Sequence, residues 1–330
     1  MKKIALFSMS SAASAMSPLR FSRAINFLRG KGFIVQLGNI TEARNSYFYC
    51  SGKPKERAEE FNLLLQSDAD ILYATIGGLN SSSALPFVDF DEVKRSKKAI
   101  IGNSDVTSLL SAVYVKTGCQ VYYFQCCLPA MGEFGLFSET NYLFFQKIII
   151  DAPMKYRYFP YPFWTDDWIN WEIYEREKEH HENRWIALQE GVAEGVLVGG
   201  NLETLIKLCG SEYIYDFQDK ILFLEDTCVS AEQVESSFLV LLLNGVFEQI
   251  KGLILCKSER YSSQGTQMTF SEWFFHWMKY YGVPNMPVVG EFDCGHTHPC
   301  MPLVIGGYYH LNVKENNINI EYACSEKGGK

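Results

Sequence analysis

Three side chains in this sequence could together break an amide bond: a serine at the start of a helix, a carboxylate at the end of a strand and a histidine on a late loop. The serine is Ser104, in Ala99-Ile100-Ile101-Gly102-Asn103-Ser104-Asp105-Val106, which reads as a short buried strand, a tight turn and the beginning of a helix. Val106, Leu109, Leu110 and Val113 follow the one-face spacing of an amphipathic helix, and Gly118 stands where that helix should stop. A hydroxyl at this turn lies near backbone N–H groups that have no helical partner, at the positive end of the helix dipole. An acyl-transfer nucleophile belongs there, because negative charge develops on the neighbouring substrate oxygen. The plain alternative is that Ser104 or Asp105 only caps the helix.

A serine nucleophile needs a base, and the base needs an orienting acid. Of the six histidines, His276 lies in an aromatic helix pattern, His180 and His181 in a charged linker and His310 in a late strand. His296 and His298 remain, in Asp293-Cys294-Gly295-His296-Thr297-His298-Pro299-Cys300. Alternating Cys and His could also hold zinc, but an extended loop would splay these side chains apart, and the spacing matches no usual zinc pattern. No metal or cofactor is therefore expected. Glu225, at the end of the strand pattern Ile221–Leu224, is placed like an acid at a sheet's ligand edge; its alternative is a surface carboxylate near the Ser230 helix. The order Ser, Glu, His is also that of α/β-hydrolases, although Val106 occupies the second glycine position of their Gly-x-Ser-x-Gly elbow.

The elements that must position these residues alternate. Strand patterns at Lys3–Phe7, Phe33–Leu37, Ile71–Ile76, Ala99–Gly102 and Gln120–Cys126 are separated by helix patterns at Pro18–Arg29, Pro54–Gln66 and after Ser104. That order predicts an α/β fold with a doubly wound parallel sheet of the Rossmann or flavodoxin kind, like that of class I amidotransferases, with ligands at the carboxyl ends of its strands. Gly77-Gly78 and Ser104 both fall at such ends. From Trp185 a second, smaller α/β or β-barrel-like domain is expected. In it Val196-Leu197-Val198 runs into Gly199-Gly200-Asn201, Ser230 and Gln233 form a capping box, and strands follow at Leu253–Cys256 and Val288-Val289.

Between them, Tyr156, Tyr158, Phe159, Tyr161, Phe163, Trp164, Trp168 and Trp171 crowd one segment, followed by the charged run Glu172–Asn183. This reads as a crossover whose rings either plug the space between domains or stack on a flat substrate group. The division is thus 1–150, 151–184 and 185–330, with the tail Ser325–Lys330 frayed.

Composition narrows the partners. The 330 residues are 47% hydrophobic, enough for a sizeable core in two domains. Lys and Arg number 30 against 38 acidic residues, and no basic tract offers itself to a nucleic-acid backbone. No apolar run reaches the length of a membrane span, and the apolar start, interrupted at Ser8, is too short for a signal peptide. Ten cysteines in a long apolar chain, several in strand-like contexts (Cys119, Cys126, Cys127, Cys256), fit a reduced cytoplasmic protein.

These segments resemble the LD-carboxypeptidase family of serine peptidases, and most of all its microcin C immunity branch. The resemblance is carried in order by Ile76-Gly77-Gly78-Leu79-Asn80-Ser81 with Leu85-Pro86, Gly102-Asn103-Ser104-Asp105, Phe163-Trp164-Thr165-Asp166, Gly199-Gly200-Asn201-Leu202, Leu222-Phe223-Leu224-Glu225-Asp226 and Glu291-Phe292-Asp293-Cys294-Gly295-His296-Thr297-His298-Pro299. It implies a Ser104–Glu225–His296 triad, with His298 not the base, and an oxyanion hole from the backbone N–H groups of Asp105 and Gly78. It further implies that Trp164 stacks on a nucleobase, that Asn201 and Glu259 line the cleft, with Glu259 reading a free amino group, and that the protein is a homodimer. Aspartyl-specific members carry a lysine four residues after the triad glutamate, where this chain has Val229. A neutral group there cannot pair with a substrate carboxylate. Two substrate classes follow: an aminoacyl-nucleotide of the microcin C type, or a murein tetrapeptide that loses its terminal D-alanine.

Overall fold

In the first sheet, the apolar runs Lys3–Phe7, Ile71–Ala74 and Ala99–Gly102 are largely buried on both faces, whereas the edge strand Ile34–Leu37 is only half-buried. The computed structural model describes residues 2–170 and 172–324; Trp171 and the tail Ser325–Lys330 lie outside the described residues. Parallel pairing sets the strands in the order Ile34–Leu37, Lys3–Phe7, Ile71–Ala74, Ala99–Gly102, Val121–Tyr123. By sequence this is 2-1-3-4-5, the flavodoxin-like winding, whose ligand crevice opens where the order reverses. Helices Pro18–Gly30, Pro54–Leu65 and Thr107–Thr117 form the crossovers. The last stops at Gly118 with φ +70°, as its sequence requires.

The second sheet runs Lys155–Tyr158, Asn317–Ala323, Tyr308–Lys314, Gly191–Asn201, Ile221–Glu225, Gly252–Cys256, Val288–Phe292, Ile186–Gln189. Its middle, from Gly191–Asn201 to Val288–Phe292, is parallel, so the chain ends of Ile221–Glu225, Gly252–Cys256 and Val288–Phe292 emerge side by side. Helix Ala231–Leu243 starts at the capping box of Ser230 and Gln233, and Phe270–Tyr280 at one formed by Thr269 and Glu272.

The halves interlock more than the sequence suggests. Leu303–Ile305, from the C-terminal half, adds an antiparallel edge to the first sheet against Val121–Tyr123. Lys155–Tyr158, from the aromatic crossover, instead extends the second sheet. One apolar core runs through both sheets. At their junction Gly200 (φ +150°) faces helix Thr107–Thr117; a Cβ there would stand 2.4 Å from Thr107 Cγ2. Glycine at this position lets strand Gly191–Asn201 cross against that helix, where Asn201 N–H donates to Thr107 Oγ1 at 3.1 Å. Among the described residues no helix is long and apolar enough to cross a membrane.

Candidate active site

Ser104 follows strand Ala99–Gly102 through the extended residue Asn103 and takes φ +57° before one tight turn leads into helix Thr107–Thr117. Such a backbone costs a non-glycine residue on the order of 1–3 kcal/mol and persists where its surroundings over-determine it. Here they do. Ser104 N–H donates to Tyr123 Oη at 3.1 Å, Asn103 Oδ1 accepts Cys126 N–H at 2.9 Å and Asp105 Oδ2 accepts Ser81 N–H at 2.8 Å. The valine that replaces the elbow's second glycine is accommodated from the other side: a Cβ at Gly102 would lie 2.5 Å from Val106 Cγ1. The Gly77-Gly78 backbone passes directly beside Ser104, since a Cβ on Gly77 would stand 2.8 Å from Ser104 Cβ and 3.2 Å from Asp105 N.

Glu225, Glu259 and His296 come from the ends of three adjacent parallel strands. Glu225 is fully buried. Its Oε2 accepts His296 Nδ1–H at 2.6 Å, and its Oε1 accepts the Tyr123 hydroxyl at 2.5 Å and Asn201 Nδ2 at 3.2 Å. With Nδ1 engaged, Nε2 is the ring nitrogen that remains. Burial pulls the His296 imidazole down, but Glu225, Glu259 and Asp226 outweigh it and push the ring up to about 9. A histidine must be neutral to accept a proton, so a role for His296 as base requires kcat/KM of the free enzyme to rise with pH until about 9; a profile flat between pH 6 and 9 would exclude that role. The same shift stabilises the fold below about pH 6.5, a contribution lost as pH rises through about 9.

Two further residues of this cluster carried no signal of their own. Tyr123 lies within an expected strand, yet its one hydroxyl joins the backbone of Ser104 to the Glu225 carboxylate. Asp226 is buried beside Glu225 and held by Asn201 Nδ2 at 3.1 Å; burial, then Glu225, pushes its carboxyl up to about 7.

A cavity of about 280 Å³ collects Ser104, Gly78, Glu259, Trp168, His296 and His298 on its walls, with Arg20 and Lys178. Glu259 lies on its wall, bonded to Thr227 Oγ1 at 3.0 Å, its carboxyl raised by burial and held back by His296. His298 is tied to Asn141 at 3.1 Å, and burial, then Lys178 and Arg20, hold its imidazole well below the usual range, which makes it a weak proton acceptor. Cys294 and Cys300 point into the apolar core.

Two expectations are corrected. Asn201 is not in the cleft wall: its Oδ1 caps helix Leu202–Ile206 and its Nδ2 braces Glu225 and Asp226 from behind. Trp164 does not share the cavity of Ser104 but lines a separate one of about 350 Å³ with Ser258, Tyr261 and Glu291. It is held in the ribbon Phe163–Trp164/His181–Glu182, its ring centroid 5.5 Å from that of His181. The tryptophan at the Ser104 cavity is Trp168, four residues on.

Known proteins share this fold. Residues 4–124 match the LD-carboxypeptidase N-terminal domain and residues 194–311 the LD-carboxypeptidase C-terminal domain. The chain is 36% identical to the microcin C7 self-immunity protein MccF of Escherichia coli, over 98% of this chain and 95% of that protein. It is 34% identical to a putative carboxypeptidase of Vibrio cholerae, over 97% and 95%. A structure of MccF in complex with aspartyl sulfamoyl adenosine superposes with a TM-score of 0.92 at 36% identity, covering 98% of this chain and 96% of that one. With both domains matched in order and nearly the whole length aligned, the chain belongs to the LD-carboxypeptidase family of serine peptidases, as a carboxypeptidase-type hydrolase similar to MccF.

Proposed function

We propose that this protein is a serine hydrolase of amide or amide-like bonds in aminoacyl-nucleotides, with Ser104 as nucleophile, His296 as base and then acid, and Glu225 as the group that orients His296. The observation that carries this reading is the convergence of Ser104 and His296 on one cavity, with His296 Nδ1 locked to a buried carboxylate. His296 Nε2 takes the hydroxyl proton as Ser104 Oγ bonds to the acyl carbon. The tetrahedral oxyanion is received by the N–H groups of Gly78 and Asp105; losing one such donor typically costs about 2.7–4 kcal/mol of barrier. The imidazolium then protonates the leaving nitrogen, and water releases the acyl group from Ser104 by the reverse route.

Triad residues come from both 1–150 and 185–330, so neither part is complete alone. Glu259, beside His296, suits a free ammonium on the acyl side. Trp168 is 54% exposed and stands between the Ser104 cavity and a second one of about 360 Å³, which it lines with Ile169, Asn170 and Tyr174. A flat base stacked there would lie beyond the scissile bond, as in the sulfamoyl adenosine that MccF binds. Val229 is buried and apolar, so a preference for an aspartyl side chain is not built here.

The second reading, a carboxypeptidase acting on murein tetrapeptides, is favoured by the small size of the Ser104 cavity itself, which fits a peptide end. One mass-spectrometric assay separates them: purified protein is offered aminoacyl-sulfamoyl adenosines and a murein tetrapeptide ending in D-alanine. Serine-dependent cleavage of the adenosines supports the first reading, cleavage of the tetrapeptide alone supports the second, and cleavage of neither removes both. In the first case Trp168→Ala should raise KM for the adenosines about 5- to 150-fold, since stacking a base is worth about 1–3 kcal/mol. An unchanged KM would take Trp168 out of recognition.

A further inference from the structure

We propose that Tyr123 is a positioning residue of the Ser104 site: its one hydroxyl fixes the Ser104 turn against Glu225 and, through that carboxylate, sets how tightly His296 holds a proton. The proposal rests on the Ser104–Glu225–His296 reading given above and adds to it the group that joins the two halves of the site.

Tyr123 ends strand Val121–Tyr123 of the first sheet and is paired on both sides, with Gly102 on the strand that leads to Ser104 and with Leu303 on the other. Its side chain is fully buried. The ring lies edge-on to that of Phe223, centroids 5.0 Å apart, within the strand that ends at Glu225. Backbone pairing and ring packing thus fix where the hydroxyl stands. There it meets two groups of opposite demand. Ser104 N–H, 3.1 Å away, can only donate, so the hydroxyl oxygen accepts. The one hydroxyl hydrogen is then left for Glu225 Oε1, 2.5 Å away. Burial, then the Glu225 charge, hold the phenol well above its ordinary range, so it keeps the proton it donates.

The bond from Ser104 matters because that residue stands at φ +57°, a backbone that persists only where its surroundings hold it. The same bond engages Ser104's own N–H and leaves oxyanion donation to Gly78 and Asp105. The bond to Glu225 matters because a fully buried carboxylate must be met by donors. Of its three donors, Asn201 and His296 belong to the second half of the chain and Tyr123 to the first. One oxygen atom therefore ties the acid to the turn that carries the serine.

His296 feels this bond at one remove. A donor at Oε1 draws charge from the carboxylate whose Oε2 faces Nδ1–H, so Glu225 pulls on the imidazolium less than it would without Tyr123. The other groups about the ring are Asp226 and Glu259, which raise its proton affinity, and His298, with Arg20, Lys178 and Glu133 farther along the cavity wall. Tyr123→Phe changes none of these charges, so a shift of the His296 titration reports on the phenol bond.

The test follows His296 by NMR titration of the full-length protein, isotope-labelled at histidine Cε1, with the signal assigned from its loss in His296→Gln. In Tyr123→Phe the midpoint is expected to move to higher pH by about half a unit or more. On whichever substrate class the protein cleaves, kcat should fall about tenfold or more with KM held within about threefold. A merely loosened site would lower kcat without that upward move. A ring-fluorinated tyrosine at position 123, a more acidic phenol in the same place, should shift the midpoint the other way. It also serves as the deciding variant if Tyr123→Phe fails to fold in a thermal melt. A midpoint unmoved or lowered in Tyr123→Phe, unmoved by fluorination, or a Tyr123→Phe kcat within about twofold of wild type, would each overturn the proposal. His296→Gln keeps the two readings apart. Turnover lost in His296→Gln but kept in Tyr123→Phe removes the positioning role alone, and turnover kept in His296→Gln removes the triad and the role with it.

Discussion

Ser104→Ala should lower turnover by on the order of 10⁴- to 10⁶-fold while leaving the fold intact. The size follows from what the hydroxyl does: without it no acyl-enzyme forms, and only binding and oxyanion donors remain to favour water's attack. The fold is spared because what pins this turn is backbone and neighbouring side chains. Ser104 N–H to Tyr123, Asn103 to Cys126 and Asp105 to Ser81 all survive the substitution. Alanine at φ +57° carries much the same strain as serine, so the melting temperature should move by no more than a few degrees. The check is mass-spectrometric product formation beside a thermal melt of the same preparation. A variant that retains turnover within tenfold of wild type would take Ser104 out of the nucleophile's role.

Glu225→Gln should cost about 10⁴-fold in kcat, as the loss of an orienting acid does elsewhere, and should also move the pH profile. Glu225 receives three donors: His296 Nδ1–H, the Tyr123 hydroxyl and Asn201 Nδ2. An amide has one accepting oxygen and an NH₂ group, so at least one of these donors would face another donor in a fully buried place. If the NH₂ group faces His296, the ring takes the other tautomer and Nε2 is no longer the base. The pH limb shifts as well. Burial already pulls the His296 imidazole down, and Glu225 leads the carboxylates that push it up to about 9. With that charge gone, the limb should move to lower pH, whereas general loosening of the site would lower the rate without moving it. A kcat/KM profile for both proteins decides between these outcomes.

Much of this architecture was legible before any coordinates. Lys3–Phe7 forms a strand with the expected ends, Gly118 closes its helix, and Ser230 with Gln233 opens another. These features depend on contacts within a few residues, where apolar period, capping and backbone freedom act directly. The placement of Ser104 at a strand-to-helix turn was legible for the same reason. The choice of His296 over His298 came from resemblance, and the two rings sit differently in the structure. One ring meets Glu225 at the end of a neighbouring strand, and the other is buried against Asn141 and neutral.

What failed to show in the sequence is what depends on packing between distant segments. Trp164 and Trp168 lie in one aromatic run, and only the Phe163–Trp164/His181–Glu182 ribbon decides that Trp168 lines the Ser104 cavity. Asn201 sits next to a glycine pair that suggests a cleft, but the crossing of Gly191–Asn201 against the nucleophile helix turns its amide toward the back of Glu225. Tyr123 reads as one more strand aromatic, yet it meets an acid 102 residues later in the chain. Arg20 and Glu133 are 113 residues apart and become a pair in a cavity wall only once helix, loop and crossover have packed. The sequence alone thus determined the strands, the helices, the turn that carries the serine and the family. The tertiary structure alone decided which carboxylates, which ring and which cations surround that serine, because buried charges and hydrogen bonds are set by groups that meet across sheets rather than along the chain.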